Sequence, residues 1–273
     1  MQTPKSLLVH LDDSPEALTR ARIAGRLTER FDAHGTAYYA VTPSILRFPF
    51  APDVGGFAAE MLATSDDEQR AAVRERFEAI ARDYPRLHWA QAPETAWDLR
   101  REALYTDLLI LGQRNPDEAS GTVPADLVSS LILEAGRPTL VLPYIWTDEV
   151  IGRTVLIAWK ESREATRALS AALPWLRDAE RIEVVSFGDA ESTGRSLGDL
   201  KAWLALHGVD CNLHHGGPQD SEAGIKLLSM SFDLGADLMV MGCYGHSRAR
   251  EWALGGASRT VLTGMTLPVL MVH

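Results

Sequence analysis

The chain has 273 residues, 46% hydrophobic and 23% charged, with a formal net charge of −10 and a pI near 5.3. That balance describes a soluble globular protein with enough apolar surface for one large domain or two ordinary ones. The acidic field argues against non-specific nucleic-acid binding, which needs basic patches.

The opening "MQTPKSLLVHLDD" has too short an apolar stretch for a signal peptide, and no apolar run reaches the roughly 20 residues of a membrane span. A cytoplasmic location with no membrane partner is expected. From Lys5 to Leu27 the chain reads as a short apolar strand, a polar turn ending at Ser14, and an Ala-rich amphipathic helix. Ser14 stands two positions before Glu16, as a helix N-cap with an acid in the first turn would. Next comes "PSILRFPFAPDVGGFAAEML" (Pro43 to Leu62), rich in Pro, Gly and aromatics, which reads as a long connection that covers something. "TDLLILGQ" (Thr106 to Gln113) and "GRPTLVLPY" (Gly136 to Tyr144) close the first half, and "IWTDEVIG" is a short linker.

The second half repeats the first. "RTVLIAWKESREATRALSAALPW" (Arg153 to Trp175) lines up with Lys5 to Leu27, with Ser162 and Glu164 in place of Ser14 and Glu16. "ADLMVMGC" (Ala236 to Cys243) matches Thr106 to Gln113, and "MTLPVLMVH" (Met265 to His273) matches Gly136 to Tyr144. Unbroken apolar runs ("TVLIAW", "IEVVSF", "CNLHHG", "DLMVMG", "PVLMVH") alternate with helical patterns, several ending at Gly208, Gly235 and Gly264. Such runs suit strands buried on both faces of a parallel, doubly wound sheet. The expected fold is α/β: two tandem open five-stranded parallel-sheet, Rossmann-like domains, 1–145 and 150–273. An exposed sheet edge invites pairing, so the last strands "TLVLP" and "PVLMV" are expected to meet in an intramolecular pseudo-dimer. Further homodimerisation is compatible with this.

The stretch "MVMGCYGHSRAREWALGGASRTVL" (Met239 to Leu262) carries the densest signal. Gly242, at the end of a strand, is followed by Gly245 and then by Gly255 and Gly256 just before a helix. Glycine lets a ligand approach the main chain, and N–H groups at a helix start meet anions. His246, Arg248, Arg250 and Arg259 make this the most basic stretch of an acidic chain. The pattern suits a nucleotide phosphate site; it equally suits a tight turn with a close helix–strand contact.

On these residues the sequence resembles the universal stress protein family in its tandem form. "GCYGHSRAREWALGG" matches that family's G-x2-G-x9-G-[ST] signature except that Gly256 replaces Ser/Thr. "LLVHLDDSPEALTRA" and "VLIAWKESREATRAL" are similar to its opening strand and helix. The resemblance covers nearly all of both halves apart from Pro43 to Leu62, and it implies an open α/β fold that binds ATP or another adenine nucleotide, with or without Mg. By resemblance Ala158 and Trp159 flank the base, Met241 and Gly242 meet the ribose and adenine side, and Gly245, Gly255, Gly256, Ala257 and Ser258 line the phosphates. Lys160 stands where the family commonly has an Asp that accepts from the ribose. In the first half Asp12 keeps that carboxylate, but the glycines become Gly112, Asn115, Ala125 and Asp126. A Cβ and a negative charge where phosphate would sit make this a degenerate copy.

Other signals are weaker. "GRSLG" (Gly194 to Gly198) formally matches G-x-S-x-G around Ser196, but a polar stretch rather than a strand precedes it. His214 and His215 are adjacent on a strand and point to opposite faces, which suits no shared metal ion. Cys211 and Cys243 form no disulfide framework, and Cys243 reads as a small packed thiol. Neither a P-loop nor G-x-G-x-x-G is present. Tryptophans 89, 97, 159, 175, 203 and 252 read as core or interface anchors. Two functions of different class follow: a stress-response regulatory protein holding an adenine nucleotide in its second half and acting through unidentified regulatory protein partners, or a nucleotide-free scaffold with both sites degenerate. Catalysis has no positioned base or metal ligands behind it, so a weak ATPase is the most the residues support.

Overall fold

Apolar runs without alternation, such as Val155–Ile157 and Leu238–Met241, become strands covered on both faces; the expected run at Asn212–His215 instead forms a mostly exposed edge strand, because its polar Asn and His side chains suit water. The structure, a computed structural model, describes residues 3–47, 56–90, 99–117, 121–243 and 256–273. Two compact units make up the chain, one of Pro4–Arg137 and one containing Pro138–His273.

In the first unit β1 (Ser6–Leu11) leads into α1 (Glu16–Phe31) and β2 (His34–Tyr39). Then follow α2 (Ser44–Arg47), α3 (Gly56–Ala81), β3 (Leu87–Trp89), α4 (Leu99–Ala103), β4 (Leu108–Gly112) and α5 (Leu127–Ala135). The strand order is β3-β2-β1-β4, with every pair parallel. Leu8, Leu109 and Leu111 pack against Leu99, Leu127 and Leu131 from the flanking helices, so one sheet face is closed by α4 and α5. Much of the Pro43–Leu62 connection is helical rather than open loop, because Ala-rich sequence from Gly56 onward continues into good helix formers. Asp66 of α3 accepts from the Ser44 backbone N–H at 2.8 Å and the Ser44 hydroxyl at 2.5 Å, which ties α2 to α3.

The second unit contains β5 (Thr139–Leu142), β6 (Thr154–Trp159), α6 (Arg163–Leu176), β7 (Arg181–Ser186) and α7 (Ala190–Leu206). They continue into β8 (Asn212–His215), α8 (Ala223–Asp233), β9 (Leu238–Gly242), α9 (Gly256–Gly264) and β10 (Val269–Val272). The order is β5-β10-β9-β6-β7-β8. All pairs are parallel except β5 with β10, which run antiparallel in the register Val141↔Val269 and Leu140↔Leu270. The two repeats' last strands therefore pair as expected.

Local sequence explains the helix ends, with some differences from expectation. Ser162 caps α6, accepting from the Ala165 N–H at 3.2 Å. Ser14 does not cap α1; its hydroxyl is drawn to Asp12 instead, and Pro15 precedes the helix without a side-chain cap. Asp189 caps α7, accepting from the Glu191 N–H at 2.9 Å. Gly208 and Gly235 end their helices with φ of 73° and 63°, the left-handed conformation glycine permits. Gly264 is the last residue of α9 and takes no such conformation.

Candidate functional site

In each repeat the chain starts mid-sheet, at β1 or β6, builds outward on one side, then crosses to the other. The strand order therefore switches between β6 and β9, and between β1 and β4. Crevices at the carboxyl ends of strands flanking such a switch are where doubly wound folds bind ligands.

At the second unit's switch, Ala158 of β6 pairs with Met241 of β9, and Gly242 follows at the strand end. A Cβ on Gly242 would lie 2.8 Å from the Ala165 Cα, so glycine here admits the first turn of α6. Trp159 is half-buried and donates its indole N–H to the Ser196 hydroxyl at 2.9 Å. Glu164 is buried beside it in sequence terms, at the start of α6. Its own backbone N–H holds the carboxyl below the ordinary range, helped by the Ser162 hydroxyl and outweighing burial. Cys243 donates its backbone N–H to Val272 O at 2.9 Å, and burial pushes its thiol pKa well up. It is a neutral packed thiol. Lys160 is exposed. Trp159, Ser162, Arg163 and Arg167 help line an open depression of about 800 Å³ beside the start of α6.

Helix α9 opens at Gly256 with its first turn, Gly256, Ala257 and Ser258, at the far end of the glycine stretch. Gly256 is exposed, Ala257 half-buried and Ser258 buried. A Cβ on Gly224 of α8 would lie 2.7 Å from the Thr260 Cβ and 3.1 Å from the Ala257 Cα, so α8 presses directly on that turn. Gly245, His246, Arg248, Arg250 and Gly255 lie outside the described residues, as do Trp97 and Trp252.

The first unit's switch is arranged differently. Asp12, just past β1, is buried and accepts from Arg20 Nη2 at 2.7 Å, from the Ser14 N–H at 3.0 Å and from the Ser14 hydroxyl. Burial alone would raise its pKa, but the Arg20 charge, His10 and the Ser14 bonds bring it to about 2. Arg20 Nε donates to His10 O at 3.0 Å. Nearby, Asp13 accepts from the Tyr39 hydroxyl; burial raises the pKa of Asp13.

Ser196 lies inside α7, where it accepts from Trp159, so it occupies no nucleophile elbow. His214 Nε2 meets the buried Glu183 carboxylate at 2.6 Å, while His215 Nε2 lies 3.1 Å from Gly188 O. The pair diverges as strand alternation requires. Among the described residues no group of three His, Cys, Asp or Glu side chains could hold a metal ion, and no helix is long and apolar enough to cross a membrane.

Three features escaped the sequence reading: the Arg20–Asp12 pair, the Trp159–Ser196 bond, and Glu183 with its partners Arg181, Asn212 and His214. Only the first left a signal. Arg20 falls among Ala17, Ala21 and Ala24 on the buried face of α1, where the second repeat has Ala168.

Two repeats, each with a switch in strand order, define a tandem doubly wound α/β fold. No protein-family model matches this sequence, and no curated protein is similar to it. Solved structures do match. A universal stress protein from Archaeoglobus fulgidus DSM 4304 superimposes with a TM-score of 0.76 at 14% identity, covering 99% of this chain and 96% of that one. A candidate universal stress protein from Pseudomonas aeruginosa UCBPP-PA14 gives 0.65 at 17% identity, covering 100% and 94%. A functionally unknown protein from Pseudomonas aeruginosa PAO1 gives 0.58 at 16% identity, covering 99% and 93%. The chain has the universal stress protein fold in its tandem form.

Proposed function

We propose that this protein is a regulatory binding protein of the stress-response type, holding one adenine nucleotide, ATP with or without Mg, at the carboxyl ends of β6 and β9. The observation that carries this reading is that one glycine stretch of the sequence begins at Gly242, at the strand switch, and ends in the first turn of α9, Gly256 to Ser258. Main-chain N–H groups of that turn have no partner within the helix and suit phosphate oxygens. Ala158 and Trp159 border the base side, and Ser258 supplies the hydroxyl that Gly256 lacks. Residues 150–273 are the binding half and residues 1–145 the degenerate half. The protein acts through protein partners, in the cytoplasm, and turnover is at most slow.

Lys160 favours a second reading, a nucleotide-free scaffold, because an ammonium cannot accept from ribose hydroxyls. Denaturing the purified protein and identifying the released small molecules by mass separates the two. The binding reading expects adenine nucleotide, and one ATP site per chain when the stripped protein is titrated calorimetrically. No released nucleotide and no binding heat with ATP, AMP or adenosine leaves the scaffold. Two equivalent sites per chain would contradict the asymmetry between the halves.

A further inference from the structure

The first unit's switch crevice is filled by the chain itself. All three guanidinium nitrogens of Arg20 are engaged there. Nη2 meets the Asp12 carboxylate at 2.7 Å and Nε donates to His10 O at 3.0 Å. The remaining edge covers Gly112, the strand-end glycine: a Cβ on that residue would lie 2.9 Å from Arg20 Cζ and closer still to Nη1. Both charged side chains are almost wholly buried, 4% exposed for Arg20 and 11% for Asp12. In the second repeat the corresponding positions hold Ala168, Lys160 and Gly242. There, among the described residues, the atoms nearest a Cβ on Gly242 are backbone atoms of α6 rather than a guanidinium.

A buried ion pair is a poor route to stability, since well-packed apolar side chains of similar volume do as well or better. Its geometry here is that of a bound ligand: a planar fork held by a carboxylate and a carbonyl over a glycine, as guanidinium recognition requires. The same contacts consume what an external ligand would use. Arg20 takes the space above Gly112, and with Ser14 it takes the Asp12 acceptors. We infer that the first unit carries a guanidinium-binding site at its strand switch, occupied in cis by Arg20 as a tethered ligand, so that this unit stays in a filled form whatever small molecules surround it. This goes beyond the nucleotide reading and does not depend on it, because its test involves no nucleotide.

The test is urea unfolding of the full chain. Arg20→Ala strips the ligand and leaves Asp12 as an uncompensated buried charge, so the folding constant should fall on the order of a hundredfold. Millimolar methylguanidinium should then raise the urea midpoint of Arg20→Ala by mass action while leaving wild type unchanged. Ethylammonium, which has the charge without the planar fork, should do so far less. Equal effects of the two cations, or an Arg20→Ala chain as stable as wild type, overturn the inference. Gly112→Ala provides an independent arm if Arg20→Ala does not fold. Its Cβ takes the place of the guanidinium edge, and the folding constant should drop by about tenfold or more. An unchanged midpoint for Gly112→Ala also overturns the inference.

Discussion

Gly242 stands against the main chain of Ala165: a Cβ at position 242 would lie 2.8 Å from the Ala165 Cα. Backbone cannot swing aside as a side-chain end can. Gly242→Ala should therefore cost about 2–3 kcal/mol of stability, read from the urea midpoint. Gly256, with open space around it among the described residues, is the control. Gly256→Ala should stay within about 0.5 kcal/mol of wild type, so any loss of ATP binding there reports on the site and not on the fold.

Gly224→Ala tests the support beneath α9. The new Cβ would push on the Thr260 Cβ and the Ala257 Cα, displacing the turn proposed to meet phosphate. ATP affinity should fall by about tenfold, or 1.4 kcal/mol, with adenosine affinity nearly unchanged. Calorimetry with both ligands reads the difference, and equal losses would point to general unfolding instead.

Asp12 predicts an acid dependence. Its folded pKa of about 2 lies below the ordinary 3.8. The stability it contributes is complete above the unfolded pKa and is lost as pH falls from about 4 towards 2, amounting to about 2 kcal/mol. Asp12→Asn should flatten that part of the stability profile, measured as urea midpoints across the same range.

Lys160, the first residue after β6, is exposed. If its ammonium reaches phosphate, Lys160→Met should shrink the preference for ATP over adenosine by about tenfold, the size of a partly exposed charge interaction. High salt should do the same to wild type. An unchanged preference would leave recognition to the glycine stretch alone.

The central strands were legible because both-face burial leaves continuous apolar runs such as Val155–Ile157 and Leu238–Met241, whereas β2 (HGTAYY) and β3 (LHW) carry no such run. The start of α6 was legible because its cap is local, the Ser162 hydroxyl accepting from Ala165 N–H; Ser14 was misread because the neighbouring Asp12 carboxylate draws its hydroxyl away from α1.

The sequence by itself determined the repeat, the alternation of strand and helix, and the glycine stretch, since each rests on residue type and spacing along the chain. Only the tertiary structure decided that β5 packs in the compact unit of the second repeat, that Trp159 is held by Ser196, and that Arg20 lies over Gly112 beside Asp12. Those are contacts between side chains that are distant in sequence or that meet across a crevice. Their strength depends on burial and on angles between partners, which no one-dimensional pattern encodes.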